Sequence, residues 1–425
     1  MRIVIISIGG RGDVQPYVAL GSGLRAAGHS VRLATNPEFE SLVREYGLDF
    51  FPININIRAM LENPQGQALL RSGHNPLNFM RELARSLEPL FEQGVADCWE
   101  ACQSAEVLGL STTGFLLAHP VTEKLKLPYF EAMIFPLTPT RAFPSGMFPT
   151  DLRLGGLFNL FTYWASDFLS WQLFKEPINT ARKKVLDLPP TTARALAADM
   201  IGNRRPVLYG YSPSVLPKSA EWGSWIHVTG YWFLDSPAGW SPPKELVDFL
   251  ESGPPPVYLG FGSMGSHDSQ ELNELVVQAC VRAGQRGLLV AGWSDLESVE
   301  RLRAKNIFVM ESVPHAWLFP RVAAVVHHGG AGTTAAGFRA GVPSVLIPFL
   351  ADQPFWGRRA QELGVSPPPI PRRKLTLERL TAAITTATTD QEMHQHAAAL
   401  GEKIRAEDGR ARAVEVFERY FSGSK

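Results

Sequence analysis

A short segment near residue 330 joins residue types that suit the binding of a phosphate group. The apolar run 324–327 ends in a histidine, three glycines lie within residues 329–332, and Thr333 and Thr334 follow. Glycine lets a ligand approach the backbone closely, and the first N–H groups of a helix attract anions. His328 adds a side-chain donor at the strand end. The pattern predicts an anion site between a buried strand and the following helix.

An acid and an amide follow the next predicted strand, residues 344–347. Asp352 and Gln353 come a few residues after this strand ends. Because parallel strands end at the same edge of a sheet, both side chains are expected beside the anion site. A carboxylate accepts hydrogen bonds and an amide both donates and accepts them. This pair is therefore a candidate for holding the hydroxyl groups of a sugar.

Asp13 is the candidate catalytic base, in a glycine-rich turn after the first apolar run. Transfer of a group to a hydroxyl needs an acceptor for the hydroxyl proton. An aspartate with its unperturbed pKa of about 3.9 is ionised at neutral pH and can take that role. The alternative is that Asp13 only caps the following helix. Arg11 either pairs with Asp13 or reaches a phosphate.

No metal site is predicted. The sequence has no Asp-x-Asp pair and no His/Cys cluster with ligand spacing. Cys98 and Cys102 are four residues apart, as expected for packing on one face of a helix, and Cys280 stands alone. His29 is interpreted as a structural residue of a turn. The charge of an anionic leaving group would then be neutralised by the helix end and His328, without a cofactor.

The chain has 425 residues, which predicts two domains of roughly 200 residues each. Its formal net charge is zero, and this argues against nucleic acid as a partner, since such binding depends on excess Lys and Arg. No run of eighteen apolar residues occurs. The cytoplasm is the expected compartment, with peripheral contact with a membrane as an alternative. The oligomeric state is not predicted.

Apolar runs without alternation predict parallel strands buried on both faces, and helical segments separate them. Pro16 is expected in the first turn of a helix that ends near residue 27. The fold class is α/β, with two Rossmann-like doubly wound domains facing across a cleft. The predicted strands are residues 3–8, 31–35, 107–111, 129–132, 257–263, 287–291, 307–310, 324–327 and 344–347.

The predicted domains are residues 1–215 and 241–401. Residues 216–240, rich in Pro, Trp and Gly, are interpreted as a linker about which the domains close. The last predicted helix lies within residues 402–425.

Aromatic residues with helical spacing fill residues 143–174. One interpretation is an amphipathic helix that covers the core of the first domain. Others are the wall of an apolar acceptor pocket and a surface that touches a membrane. The candidate acceptor-binding residues are Phe158, Trp164, Phe168 and Trp171.

Three segments resemble the UDP-glycosyltransferase family, most clearly its sterol 3-beta-glucosyltransferases and glycopeptide-type bacterial glycosyltransferases. The donor signature is similar to residues 324–334, 339–343 and 352–353, and the N-terminal motif to residues 10–17. Residues 227–232 resemble the segment near the interdomain link. The resemblance extends from residue 1 to about 420. It implies a GT-B fold in which residues 1–215 bind the acceptor and residues 241–401 bind the nucleotide-sugar donor. In this fold the helix in residues 402–425 would return to the first domain.

The resemblance also implies roles for individual residues. Asp13 would be the base, and the hexose would be held by Asp352 and Gln353. Ala336 replaces a glutamate that grips the ribose in plant relatives, so UDP and TDP both remain candidate nucleotides. The remaining donor-binding candidates are His328, Gly330, Gly332, Thr333, Thr334 and Ser263 at the phosphates, with Val313 and Trp293 at the base.

The expected function is inverting transfer of a hexose, glucose by preference, from a UDP-sugar to the hydroxyl of an apolar acceptor such as a sterol. An α-linked donor would give a β-glycoside. Alternatives are a natural-product glycosyltransferase for a polyketide, carotenoid or peptide aglycone, and a GT-B sugar-nucleotide epimerase. An NAD-dependent dehydrogenase is disfavoured because Gly9-Gly10-Arg11-Gly12 does not fit G-x-G-x-x-G. A sugar-binding module without catalysis is the non-enzyme alternative.

Overall fold

A computed structural model describes most of the chain as two compact units. Unit 1 comprises Met1–Gly210, Lys218–Phe233 and Gly409–Lys425, and unit 2 comprises Tyr211–Pro217 and Leu234–Asp408. The described residues are 1–55, 76–148, 152–202, 204–235, 239–261, 269–291, 300–303 and 306–422.

The core of unit 1 is a seven-stranded parallel sheet with the strand order β3-β2-β1-β4-β5-β6-β7. The first strand shows why these segments form it, because Ile3, Val4, Ile5 and Ile6 are all buried. A run of β-branched side chains suits a strand covered on both faces. The strands are β1 Arg2–Ile6, β2 Ser30–Thr35, β3 Asp49–Pro52, β4 Val107–Ser111, β5 Tyr129–Met133, β6 Val207–Tyr209 and β7 Ile226–Val228.

Helices pack against this sheet, and the first begins earlier than predicted. Pro16 lies inside that helix and not in its first turn. The helix tolerates Pro16 because the carbonyl left without an N–H partner belongs to Gly12, which is exposed to water. The helices of unit 1 are α1 Arg11–Ala26, α2 Glu40–Glu45, α3 Pro76–Ala101, α4 Phe115–Leu125, α5 Gly156–Leu186, α6 Ala193–Gly202 and α14 Gly409–Phe421.

Unit 2 has a five-stranded parallel sheet with the order β10-β9-β8-β11-β12. Its strands are β8 Val257–Gly260, β9 Gly287–Val290, β10 Ile307–Met310, β11 Ala324–His327 and β12 Ser344–Leu346. Its helices are α7 Lys244–Glu251, α8 Ser269–Arg282, α9 His315–Leu318, α10 Ala331–Ala340, α11 Gln353–Glu362, α12 Leu377–Thr389 and α13 Gln391–Arg405. Both units are thus doubly wound parallel α/β folds.

The division of the chain differs from the predicted boundaries. Much of the predicted linker, residues 216–240, belongs to unit 1, because β7 pairs with β6 in the sheet. The last helix begins at Gly409 and not near residue 402, and it belongs to unit 1. His29 helps to fix this helix, since its Nε2 atom lies 2.5 Å from Glu418 Oε1. The interpretation of His29 as a structural residue agrees with this contact.

Each sheet has one point at which the order of its strands reverses direction. In unit 1 this point lies between β1 and β4, and in unit 2 between β8 and β11. Ligands of doubly wound sheets bind outside the carboxyl ends of the strands at this switch point. Asp13 follows β1 and His328 follows β11. Among the described helices, none is long and apolar enough to cross a membrane.

Candidate functional site

The carboxylate of Asp13 is held under the turn that follows β1. Gly10 donates its backbone N–H to Asp13 Oδ2 at 3.0 Å, and this contact caps the first turn of α1. Gly9 adopts φ +133°, and a Cβ atom there would lie 2.6 Å from Asp13 Oδ2. Glycine is therefore required at position 9 both for the backbone conformation and for the closeness of the carboxylate.

Burial raises the pKa of Asp13 from its ordinary value of 3.8 to about 6, against the opposing effect of the Gly10 N–H group. The carboxylate is still mainly ionised at pH 7, and its pKa is much closer to neutrality than the 3.9 expected from the sequence. A general base works best when its pKa lies near the working pH. The geometry therefore supports both a capping and a proton-accepting role.

Two polar residues that sequence reasoning missed hold the same turn. Asn36 Oδ1 accepts the N–H of Gly9 at 2.9 Å, and Thr113 Oγ1 accepts the N–H of Ile8 at 3.2 Å. Asn36 comes directly after β2 and Thr113 two residues after β4. Both residues follow strands that neighbour β1, and this position in the sequence could have identified them as part of the turn. Arg11 donates its Nε–H to Gln15 Oε1 at 3.0 Å, and its contact with a phosphate remains a prediction.

In unit 2, His328 lies over the N-terminus of α10. Gly330 is the N-cap of this helix and has no side chain to occupy the helix end. A Cβ atom at Gly330 would approach His328 Nε2 to 2.5 Å, so the imidazole ring covers this position closely. Gly329 turns the chain with φ +89°. The ring and the open helix end lie together where the sequence predicts an anion site, and we call this arrangement the anion cradle.

His328 is neutral at physiological pH, because burial lowers the pKa of its imidazole to about 4. Its Nδ1 atom and Thr334 Oγ1 are buried, and neither has a hydrogen-bond partner among the described residues. Buried polar groups are normally paired, so these two atoms are candidates for contact with a polar ligand. Gly332 and Thr333 belong to the same first turn of α10.

The structure brings the predicted acid and amide to this turn. A Cβ atom built on Gly329 would lie 3.3 Å from the carbonyl oxygen of Gln353. Gln353 Oε1 accepts the N–H groups of Phe349 at 2.8 Å and Leu350 at 3.3 Å, so this side chain shapes the loop after β12. Asp352 Oδ2 accepts the indole N–H of Trp356 at 2.8 Å.

The remaining donor-binding candidates are less completely described. Val313 lies just before α9, with its side chain buried in a core cluster that includes Tyr258. Its side chain therefore packs inside unit 2, and only its backbone is available for a base. Ser263 and Trp293 lie outside the described residues. His315 lies nearby, with Nε2 at 3.2 Å from Tyr258 Oη. Within the described residues, His, Cys, Asp and Glu side chains form no group suited to a metal ion.

Helix α5 of unit 1 carries the four candidate acceptor-binding residues, and its N-terminal half buries polar residues while it exposes several large aromatic ones. Polar residues face inwards: Asn159 Nδ2 donates to Arg141 O at 2.7 Å, and Thr162 Oγ1 accepts the Ser145 N–H at 2.8 Å. Aromatic residues face outwards: Trp164 is 61% exposed and Phe168 is 47% exposed. Phe158 and Trp171 are half-buried.

Two family matches cover separate parts of the chain. Residues 3–144 match the glycosyltransferase family 28 N-terminal domain, and residues 293–418 match the erythromycin biosynthesis protein CIII-like C-terminal domain. A curated relative, the sterol 3-beta-glucosyltransferase of Cryptococcus neoformans var. neoformans serotype D, is 36% identical over 99% of this chain. The match covers 27% of that relative, so the chain spans less than a third of the relative's length.

Solved structures with the same fold include the glycotransferase of kitacinnamycin, with a TM-score of 0.67, 20% identity and 98% coverage of both chains. The Streptomyces sp. SF2575 glycosyltransferase SsfS6, complexed with thymidine diphosphate, has a TM-score of 0.61, 19% identity and 99% coverage of both chains. These similarities and the two parallel sheets confirm the predicted GT-B fold class.

Proposed function

We propose that this chain, which joins a glycosyltransferase family 28 N-terminal domain to a CIII-like C-terminal domain, is an inverting hexosyltransferase that uses a nucleotide-sugar donor. The observation that carries the proposal is the anion cradle at the switch point of unit 2. There His328 and the N-terminus of α10 lie next to the loop of Asp352 and Gln353. A diphosphate and the sugar attached to it need adjacent sites of these two kinds.

The cradle would act on the leaving group. As the bond between the anomeric carbon and the diphosphate oxygen breaks, negative charge grows on that oxygen. The first N–H groups of α10, the hydroxyl groups of Thr333 and Thr334 and a neutral His328 are hydrogen-bond donors for this charge. Donors fixed before the reaction stabilise the transition state without reorganising. This arrangement supports transfer without a resident metal ion.

Asp13 would act on the acceptor. As the acceptor oxygen forms its bond to the anomeric carbon, its proton passes to the Asp13 carboxylate, whose pKa of about 6 lets it accept and later release a proton near neutral pH. Attack from the face opposite the leaving diphosphate inverts the anomeric carbon. An α-linked donor then gives a β-glycoside.

The hexose and the acceptor are proposed from residues and relatives together. Asp352 and Gln353 suit the hydroxyl groups of glucose, and the Cryptococcus relative is named a sterol 3-beta-glucosyltransferase. We therefore propose UDP-glucose as donor and a sterol or similar apolar alcohol as acceptor, with the cytoplasm as compartment. All three cysteines are free and buried, which is typical of proteins from reducing compartments.

The test is incubation with radiolabelled UDP-glucose or TDP-glucose and a panel of sterols, polyketides and carotenoids that carry hydroxyl groups. We expect labelled β-glucoside from UDP-glucose and a sterol, without added divalent metal and in the presence of a chelator. Turnover of only non-sterol aglycones would refute the sterol assignment. Epimerisation or hydrolysis of the donor that does not depend on any acceptor would refute transfer itself. An α-glycoside product would refute the inverting mechanism.

A further inference from the structure

A pocket of about 770 Å³ lies in unit 1 between α4, the C-terminal part of α5, the loop that precedes α6, and α6 itself. We call it the α4–α6 pocket. Pro128 and Arg205, which come shortly before β5 and β6, are among its lining residues. The pocket therefore lies beside the amino ends of these strands, whereas Asp13 follows the carboxyl end of β1. Because the strands are parallel, the pocket and the candidate base are at opposite edges of the sheet.

The lining of the α4–α6 pocket has an apolar part and a charged part. Three basic and two acidic side chains line it, which leaves one positive charge in excess, while the formal net charge of the chain is zero. Small-molecule sites measure roughly 300–1,000 Å³ and combine apolar walls with a few polar groups, so this pocket suits a small organic ligand. The charged lining residues are Lys126, Arg182, Arg205, Glu123 and Asp199. The apolar ones are Leu127, Pro128, Pro189, Pro190, Ala195 and Leu196.

Both acidic side chains of the pocket are already paired within unit 1. Asp199 Oδ2 accepts the Tyr129 hydroxyl group at 2.8 Å, and Asp199 Oδ1 accepts Arg205 Nη2 at 3.1 Å. Both carboxylate oxygens of Glu123 accept Arg182, at 2.8 and 3.1 Å. Bidentate pairing of this kind is among the stronger hydrogen-bonding arrangements of a carboxylate. The two negative charges are therefore compensated, and they do not exclude an anion from the pocket.

Donors of the basic side chains remain available. No described acid pairs with the exposed ammonium group of Lys126. Arg205 Nε is buried and has no hydrogen-bond partner in the described part of the chain, and a guanidinium nitrogen can only donate. Since buried polar groups are normally paired, the donors of this pocket outnumber the acceptors that the protein supplies. Carboxylate and phosphate groups are the acceptors that ammonium and guanidinium groups bind most strongly.

His119 adds no charge to the pocket. Burial lowers the pKa of its imidazole, against the opposing effect of the hydrogen bond to Asp199, so the ring is neutral at pH 7. Its Nε2 atom lies 3.1 Å from Asp199 Oδ2 and must carry the proton, because a carboxylate only accepts. Its Nδ1 atom is then a neutral acceptor, and the pocket keeps its excess of one positive charge.

We infer that the α4–α6 pocket is a further ligand site of unit 1, which takes a small molecule with an apolar body and one carboxylate or phosphate group. The anionic group would lie at Lys126 and Arg205. The apolar body would lie against Leu127, Leu196 and the neighbouring prolines. The inference does not rest on the proposed function, because the pocket contains neither Asp13 nor any residue of unit 2.

The test is isothermal titration calorimetry of the full chain, without a sugar nucleotide, with naphthyl phosphate, naphthoate and the uncharged naphthylmethanol. We expect saturable binding of the anions, and the tighter of the two identifies the preferred charged group. The uncharged probe should bind at least about 10-fold more weakly, because it lacks the charge-assisted hydrogen bonds. The Gly330→Ala variant, in which the anion cradle of unit 2 is disturbed, should bind the anions like the wild type.

Two variants with matched controls assign the binding to the pocket. Lys126→Gln should bind the anions about 5-fold more weakly, because one exposed charge is lost, while Lys124→Gln, on the same helix but outside the lining, should not. Ala195→Trp should abolish binding by filling the pocket, while Ala193→Trp, at an exposed position outside the lining, should leave it intact. Circular dichroism melting checks that each variant folds, as expected for exposed positions.

Four results would overturn the inference. They are no saturable binding of either anion, equally tight binding of the uncharged probe, wild-type binding by Lys126→Gln or Ala195→Trp, and loss of binding in Gly330→Ala. The last result would assign the anions to the cradle of unit 2. If the wild type transfers no sugar to any acceptor yet binds the anions in the α4–α6 pocket, the proposed function fails and this inference stands.

Discussion

Replacement of Asp13 by asparagine separates the two roles that the structure gives to this residue. Asp13 Oδ2 accepts the N–H of Gly10 at 3.0 Å and so caps α1. An asparagine amide oxygen can accept the same N–H group, so the Asp13→Asn variant keeps the cap. The amide cannot accept the proton of an acceptor hydroxyl. The variant therefore removes the proposed base while it leaves the local fold in place.

The effect on stability can be worked out from the pKa of Asp13. Its pKa is about 6 in the folded protein, against an ordinary value of 3.8. At 1.36 kcal/mol per pKa unit, ionisation of this carboxyl in the folded state costs up to about 3 kcal/mol of stability. Because the folded-state pKa is raised, the cost is absent below pH 3.8, grows between pH 3.8 and about 6, and is constant above that. Asparagine never ionises and avoids the cost.

The assay pairs urea unfolding with steady-state kinetics. At pH 8 the Asp13→Asn variant should be as stable as the wild type or up to about 3 kcal/mol more stable, and at pH 4 the two should agree. In the same preparation kcat should fall about 10²–10⁴-fold, as expected for loss of a general base. The KM for the nucleotide sugar should change little, because Asp13 lies in unit 1 and the donor cradle in unit 2.

Two results would refute this reasoning. If the variant is folded and retains kcat within a few-fold of the wild type, Asp13 is only a helix cap and another group takes the proton. If the difference in stability between the variant and the wild type does not change between pH 4 and pH 8, burial does not raise the pKa of Asp13 as the structure indicates. Asp13→Ala is the matched control, since it should lose both the cap and the base and be less stable than Asp13→Asn by about 1 kcal/mol.

Three further predictions concern the donor cradle. The pKa of His328 is about 4 in the free protein and should rise beside a bound diphosphate. UDP should therefore bind more tightly as the pH falls from 7 to 5. Calorimetry should find this pH dependence absent in the His328→Gln variant. Gly330→Ala should weaken UDP binding at least about 10-fold with little loss of thermal stability, because its Cβ would lie 2.5 Å from His328 Nε2 and displace the ring. Gln353→Ala should raise the KM for the donor and lower the free energy of unfolding by about 1–3 kcal/mol, because the backbone N–H groups of Phe349 and Leu350 lose their acceptor. Gln353→Glu keeps that acceptor and should restore most of the lost stability.

Long apolar runs made most of the fold predictable from the sequence. All five strands of unit 2 lie where a continuous β-branched or apolar segment predicted them. Three strands were missed, and each has only three or four residues: β3 Asp49–Pro52, β6 Val207–Tyr209 and β7 Ile226–Val228. Strands so short carry no periodicity, and the Trp, Gly and Pro residues around β7 are typical of a linker. Their pairing depends on the strands already in the sheet, which sequence patterns do not show.

The start of α1 was missed for a different reason. Gly9, Gly10 and Gly12 predict a turn, and Pro16 is typical of a first helical turn. In the structure the helix begins at Arg11, because Asp13 closes a hydrogen bond to Gly10 and fixes the first turn. The contact between the Asp13 side chain and Gly10 fixes the start of α1, and the glycine content alone predicted the wrong position. The same contact opposes the rise in the pKa of the candidate base that burial causes.

Residue types at the site were predictable, whereas their pairings were not. The sequence identified His328 and Gln353 as polar groups after neighbouring strands, and the structure brings both to the turn at Gly329. The side-chain oxygen of Gln353 accepts two N–H groups of the loop. This pairing depends on the geometry of the loop, which the sequence does not show. Asn36 was overlooked because a single asparagine after a strand is common in turns.

The two switch points share one arrangement, but burial shifts the pKa of the titratable side chain in opposite directions. At each, a titratable side chain is pressed against a glycine at the N-terminus of a helix: Asp13 against Gly9 and His328 against Gly330. The helix end alone would favour a carboxylate and lower the pKa of both groups, by an effect of 0.3–1 kcal/mol, or about 2 at most. For Asp13 burial opposes the helix end and outweighs it, because the shift from 3.8 to about 6 corresponds to about 3 kcal/mol. For His328 burial and the helix end act in the same direction and keep the ring neutral.

Lowering the pH towards 5 should therefore strengthen donor binding while it protonates the base. The rate of transfer should fall below pH 6 even though the donor site is better filled. Measuring donor affinity and kcat over the same pH range separates these two opposing effects.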